Sequence, residues 1–218
     1  YVAWNWLASN TTASNTDGSI TSTVSANTTS GFSIVKYTGN GGNSTVGHGL
    51  NSPVKAIWVK ALNASDSWTC GFQGMPDSWS DYLRLDTDTV GGNYIAYCFA
   101  EKQGYSKFGS YVGNSGNNAD APFIYTGFKP AFFLVKNTAQ ASAWEMYDSK
   151  RLGYNDKNYQ LRANESAAEG ATSDYVDFLS NGLKIRHQGG GINETGDTFI
   201  YMAFAEQPLV GDNPATAR

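Results

Sequence analysis

Short runs of alternating apolar and polar residues recur along the chain, closed off about every ten residues by Gly, Asn or Pro. No stretch keeps apolar residues at a 3.6-residue period, so the pattern predicts strands rather than helices. The clearest strands read over residues 54–60, 94–101, 130–136, 175–179, 183–186 and 199–206. Asn181-Gly182 between two of them predicts a two-residue hairpin turn. Residues 163–172 have room for one helical turn and no more. Within the closing strands, period 2 places Ile95, Tyr97 and Phe99 on one face and Ile200, Met202 and Phe204 at the matching positions, with Val2, Trp4 and Trp6 in a similar opening run. These are the expected core faces. The opposite faces (Tyr94, Ala96, Cys98; Phe199, Tyr201, Ala203) are apolar too, which suits a strand central in a packed sandwich or one at a subunit interface.

The same blocks occur twice. Gly31-Phe-Ser-Ile-Val-Lys-Tyr-Thr-Gly-Asn40 answers Gly104-Tyr-Ser-Lys-Phe-Gly-Ser-Tyr-Val-Gly-Asn114, and His48-Gly-Leu50 answers Thr126-Gly-Phe128. Residues 54–60 answer 130–136, and Trp68 answers Trp144, both 76 residues on. Residues 94–101 answer 199–206 at 105 residues on, and the difference between 105 and 76 locates an insertion of about 29 residues between Trp144 and Phe199. The expected fold is all-β: tandem antiparallel β-sandwich units of jelly-roll or lectin-like type. The boundaries read as a closing strand of a preceding unit (1–6), a Ser/Thr/Asn-rich connector with one strand near Ile20–Val24 (7–30), a first sandwich (31–103), an enlarged second sandwich (104–207) and an extended tail (208–218). The opening strand suggests a chain that starts inside a longer or processed polypeptide.

Composition narrows the function classes. Hydrophobic residues make up 40% of the 218, aromatics 14% and charged residues only 16%, the balance of a β-rich globular chain. A net charge of −4 argues against nucleic acid and anionic lipid as partners, and no apolar run approaches the roughly 18 residues of a membrane span. Cys70 and Cys98 have no metal or redox spacing and read as buried small hydrophobes, with a disulfide left open if their strands are neighbours. Six Asn-x-Ser/Thr sequons, at Asn10, Asn27, Asn43, Asn63, Asn164 and Asn193, are what so Asn-, Ser- and Thr-rich a chain carries by chance.

With these motifs in hand, the chain resembles a family of bacteriophage virion structural proteins found in marine phages. The resemblance rests on residues 31–40, 46–50, 54–60, 94–100, 104–111 and 204–208, and spans residues 17–218. Val54 departs from it, standing where many relatives have Pro, as this chain does at Pro130. The resemblance implies a tail-fibre or capsid-fibre component with lectin-like sandwiches, located on the virion or outside the cell and surrounded by other virion proteins. It supplies no catalytic residues. Homo-oligomers are expected on physical grounds, trimers if this is a tail fibre.

Candidate chemistry is sparse. A glycanase needs two carboxylates across a cleft, and Asp77, Asp81, Asp86 and Asp88 in the first unit match nothing in the second, which has Glu145, Asp148 and Asp156. All read as solvated loop carboxylates. The histidines, His48 and His187, read as structural, His48 in a Gly-rich turn whose counterpart is Thr126. Asp86-Thr-Asp88 and Asn193–Asp197 have oxygen ligands at calcium-like spacing, yet loop roles are the simpler reading, and no metal or cofactor is expected. Sugar binding is the strongest site hypothesis, because sugar C–H faces stack on exposed rings while hydroxyls take hydrogen bonds. Trp68, paired with Trp144, reads as core. Tyr147 and Tyr159 lie near loops, while Trp79, Tyr82 and Tyr154 are the ligand-binding candidates. The expected function is a non-enzymatic virion fibre that presents loops to the host surface and its glycans. The rivals are an architectural decoration or filament subunit without ligand, and a carbohydrate-active enzyme.

Overall fold

The computed structural model describes residues 3–73, 83–85, 90–117, 120–151, 155, 158–173 and 175–207. Among these residues the fold is all-β, with antiparallel strands and no helix. The chain divides into two compact units, Asn5–Lys102 and Gln103–Arg218, with Tyr1–Trp4 counted in the second.

The first unit contains β1 (Ala13–Asn15), β2 (Ser22–Asn27), β3 (Phe32–Thr38), β4 (Ser44–Val46), β5 (Val54–Ala61), β6 (Thr69–Phe72), β7 (Leu83–Leu85) and β8 (Asn93–Ala100). Six strands form one sheet in the order β1-β2-β3-β8-β5-β6, and β4 pairs with β7. The second unit contains β9 (Ser106–Val112), β10 (Phe123–Tyr125), β11 (Pro130–Asn137), β12 (Trp144–Asp148), β13 (Asn158–Arg162), β14 (Gly170–Ser173), β15 (Val176–Leu179), β16 (Gly182–Ile185) and β17 (Thr198–Ala205). Its large sheet runs β14-β13-β12-β11-β17-β9, and its small one β10-β16-β15.

The repeat read in the sequence is reproduced in register. Ala56 faces Phe99 across β5 and β8, and Phe132 faces Phe204 across β11 and β17, as offsets of 76 and 105 require. Even the irregularity is duplicated: the ladder shifts between Val54 and Ala56 in one unit and between Pro130 and Phe132 in the other. A bulge kept at equivalent positions is a built-in bend of the strand. The units differ at their edges. The first extends its sheet beyond β3 with β2 and β1, so residues 7–30 are not only a connector but contribute two strands. The second extends beyond β12 with β13 and β14 and adds β15 to the small sheet, and these three strands lie within the inserted segment. Residues 163–172 hold a turn and the start of β14. Between β15 and β16, Leu179 pairs with Gly182, so the turn is Ser180-Asn181, one residue earlier than the Asn-Gly signal suggested.

In each unit the core lies between the large and the small sheet. In the first, Val35, Tyr37, Ile57, Val59, Tyr94, Ala96 and Cys98 meet Val46, Leu50 and Ile20. In the second, Phe133, Val135, Tyr147, Phe199, Tyr201 and Ala203 meet Ile124, Val176, Phe178, Leu183 and Ile185. The inner face is therefore the one with Tyr94, Ala96 and Cys98, or Phe199, Tyr201 and Ala203, opposite to the sequence expectation. Ile200, Met202 and Phe204 are buried as well, as is Phe99, while Ile95 and Tyr97 are half-buried. The physical reason is position: β8 lies between β3 and β5, and β17 between β9 and β11. A central strand that is apolar on both faces gives period 2 nothing to choose between.

Residues 3–9 form no strand, which corrects the reading of 1–6 for every residue of it that is described. Trp6 instead packs its ring edge-on to Phe99 at 5.7 Å and to Trp58 at 6.3 Å. The thiols are both free. Cys98 on β8 and Cys70 on β6 flank β5 from opposite sides, so roughly 10 Å of sheet separates them, more than a disulfide can span. Burial pushes the Cys98 thiol up to about 12, the behaviour of an inert small hydrophobe.

Candidate functional site

Trp79, Tyr82 and Tyr154 lie outside the described residues, as do Asp77, Asp81, Asp86, Asp88 and Asp156. Of the other ring candidates, Tyr147 is fully buried and Tyr159 half-buried. Trp68 is 54% exposed beside Tyr97, so its recurrence with Trp144 does not place it in the core. Glu145 and Asp148 are buried rather than solvated.

The turn after β4 and after β10 is the most informative surface feature, because it is built twice with different dressing. In the first unit Leu50 N–H donates to His48 Nδ1 at 3.2 Å. In the second, Phe128 N–H donates to Thr126 Oγ1 at 3.4 Å, and that hydroxyl donates to the Phe128 carbonyl at 2.6 Å. Gly49 and Gly127 between them have φ of 71° and 82°, a left-handed conformation that favours glycine. His48 and Thr126 thus do the same job, capping the backbone two residues on. Replacing His48 by Thr is therefore expected to leave the thermal midpoint within about 2 °C, whereas His48→Ala loses the cap at a cost of about 1 kcal/mol; calorimetry of the two variants checks it.

Around this turn the units diverge. The first has a shallow groove of about 280 Å³ lined by Asp17, Gly47, His48, Gly49, Asn51 and neighbours. Its walls are backbone together with polar side chains and the Pro53 ring. The offset of 78 between His48 and Thr126 puts Phe123 and Tyr125 where the first unit has Thr45 and Gly47. Both rings are exposed, Phe123 at 47% and Tyr125 at 64%, while Ile124 between them is buried. Sequence reasoning missed them because Phe-Ile-Tyr is apolar at every position and hides which face is wet.

A second cluster is internal. Tyr147 Oη donates to Glu145 Oε2 at 2.7 Å and accepts from Gln160 Nε2 at 3.1 Å. Burial, and then the Glu145 charge, hold the Tyr111 and Tyr147 hydroxyls well above their ordinary range, so both stay protonated donors. Gly191 closes over the carboxylate: a Cβ there would collide with Glu145 Oε1. This sealed position gives a substrate no access. Asp148, three residues along the strand, accepts from the backbone N–H groups of Lys150 and Arg151 and pairs with the Arg151 guanidinium, so the two carboxylates do not face one cleft. His187 is likewise structural, accepting from Gly189 N–H at 2.8 Å. In the Asn193–Asp197 segment, Asp197 Oδ2 accepts from Asn137 and Gln140, and the Asn193 side chain ties down Asn114 and Gly116. Among the described residues no group of three or more His, Cys, Asp or Glu is placed to hold a metal.

A family model fits the chain twice, over residues 1–92 and 86–208; it is described as a domain of unknown function (DUF7483). The chain belongs to this family. The first match ends before β8 and the second takes in β8 with the strands of the second unit, so the family's boundary does not coincide with that of the compact units. Neither the curated proteins nor the solved structures contain a match to the chain.

Proposed function

We propose that this chain is a non-catalytic structural component of a bacteriophage virion, a tail-fibre or surface-fibre module whose duplicated sandwich presents turns to the host surface and its glycans. The observation that carries the reading is the capped turn after β4 and β10, held by the same backbone N–H bond in both units yet bordering a shallow groove in one and two exposed rings in the other. Keeping the frame and varying the dressing is what display requires. The resemblance of the repeated motifs to phage virion proteins supports the setting. Engagement of Glu145, Asp148, His48 and His187 in internal bonds supports a scaffold over an enzyme.

The test is incubation of the purified chain with a panel of purified bacterial surface polysaccharides, read for both binding and released oligosaccharide. Retention without release is the expected result. Release of products would replace this reading with a carbohydrate-active enzyme, and no interaction with any polysaccharide would favour an architectural module. Sedimentation supplies a second check: a homo-oligomer is expected, and a strict monomer would remove the fibre setting.

A further inference from the structure

We propose that Phe123 and Tyr125 on β10 form a stacking platform for a saccharide ring; the proposal rests on the adhesive reading above and names the surface that would carry it. Residues two apart on a strand project from the same face about 7 Å from each other, so the two exposed rings make one surface. Ile124, turned the other way, anchors the strand in the core. A glycine lies beside each ring. Phe123 Cζ lies 2.8 Å from where a Cβ on Gly182 would stand, and the Tyr125 ring lies 3.8 Å from the same point on Gly127. Two exposed rings side by side on one strand offer the apolar surface that stacking on sugar C–H groups needs.

Polar groups border the rings on the same side of the sheet. Lys184 pairs with Phe123 across the ladder and Asp177 with Lys184, and Arg186 Nε donates to Asp177 Oδ2 at 2.9 Å. A hydroxyl-rich ligand over the rings would find donors and an acceptor at its rim. A protein partner fits less well. The exposed parts of the two rings amount to roughly 200 Å², against about 800 Å² per side in a stable interface. A net charge of −4 also disfavours a nucleic-acid strand, whose bases would otherwise stack on the same rings.

The experiment compares the full chain with Phe123→Ala/Tyr125→Ala and with Tyr125→Phe on immobilised bacterial surface polysaccharides, neutral and acidic, with a single-stranded oligonucleotide alongside. Exposed substitutions of this kind leave folding intact, which circular dichroism confirms for each variant. The double variant is expected to bind at least tenfold more weakly, and Tyr125→Phe within about twofold of wild type, since the ring and not the hydroxyl stacks. Unchanged binding by the double variant would overturn the platform while leaving the adhesive reading standing. No polysaccharide binding by the wild type would overturn both. Ring-dependent binding of the oligonucleotide alone, or a changed oligomeric state in the double variant, would overturn the saccharide assignment in favour of a nucleic acid or a second copy of the chain.

Discussion

Replacing Glu145 by Ala is expected to destabilise the second unit by about 3–5 kcal/mol, a large fraction of the roughly 5–15 kcal/mol of a folded domain. Glu145 is 5% exposed and accepts from Tyr147, whose ring is completely buried and whose hydroxyl also takes a bond from Gln160 on β13. Removing the carboxylate leaves the Tyr147 donor without its acceptor and a void beside Gly191. An unsatisfied buried donor costs about 1–3 kcal/mol and the lost packing adds to it. Glu145→Gln keeps size and acceptor, and its expected cost is about 1 kcal/mol. Tyr147→Phe should fall between the two, and the double change Glu145→Ala/Tyr147→Phe should cost less than the sum of the singles, because one bond is lost in both. Urea unfolding gives the magnitudes, and faster amide exchange in β12 and β13 places the damage. Equal effects of Gln and Ala at position 145 would show that the hydrogen bond contributes little.

The strands that form the two cores were legible to within a residue. The run 54–60 is β5 (Val54–Ala61), and 199–206 is β17 (Thr198–Ala205). Dense apolar runs between glycines leave little freedom, and the 76- and 105-residue offsets between them survive as ladder register. Three features were not legible, each for a physical reason. The inner face of β8 and β17 was misassigned because both faces are apolar. β1 has no buried residue to mark it, and β2, expected near Ile20–Val24, lies at Ser22–Asn27, where a small polar residue faces inward: Ser22 is 3% exposed and donates to the Gly47 carbonyl, so hydrophobicity does not mark it as inside. The Phe123–Tyr125 surface is unmarked because Phe-Ile-Tyr is apolar at every position and forms a three-residue strand, not a loop. The repeat itself held the signal: Thr45 and Gly47 stand in the first unit where the second has two rings.

Phe133→Ala is expected to cost about 3–5 kcal/mol, and Phe133→Ile only about 1–2 kcal/mol. Phe133 is wholly buried on β11, its ring 6.4 Å from Tyr147 and 6.0 Å from Tyr201. The equivalent residue in the first unit is Ile57, also buried. Beside it the first core has smaller residues at two positions, Ala96 where the second has Tyr201 and Gly71 where it has Tyr147. The inserted β15 brings Val176 and Phe178 to the second core, and the larger side chains fill the space it encloses. Alanine leaves most of a ring's volume empty among neighbours that are themselves tightly packed, whereas isoleucine keeps the β-branched shape the frame already accepts at that position. The reciprocal change, Ile57→Phe, should be destabilising by about 1–3 kcal/mol through overpacking, because among the described residues the first unit has no counterpart of β15 to enclose the ring. Thermal melts of the three variants decide it. If Ile57→Phe were tolerated as well as Phe133→Ile, the insertion would not be what sets the size of the second core.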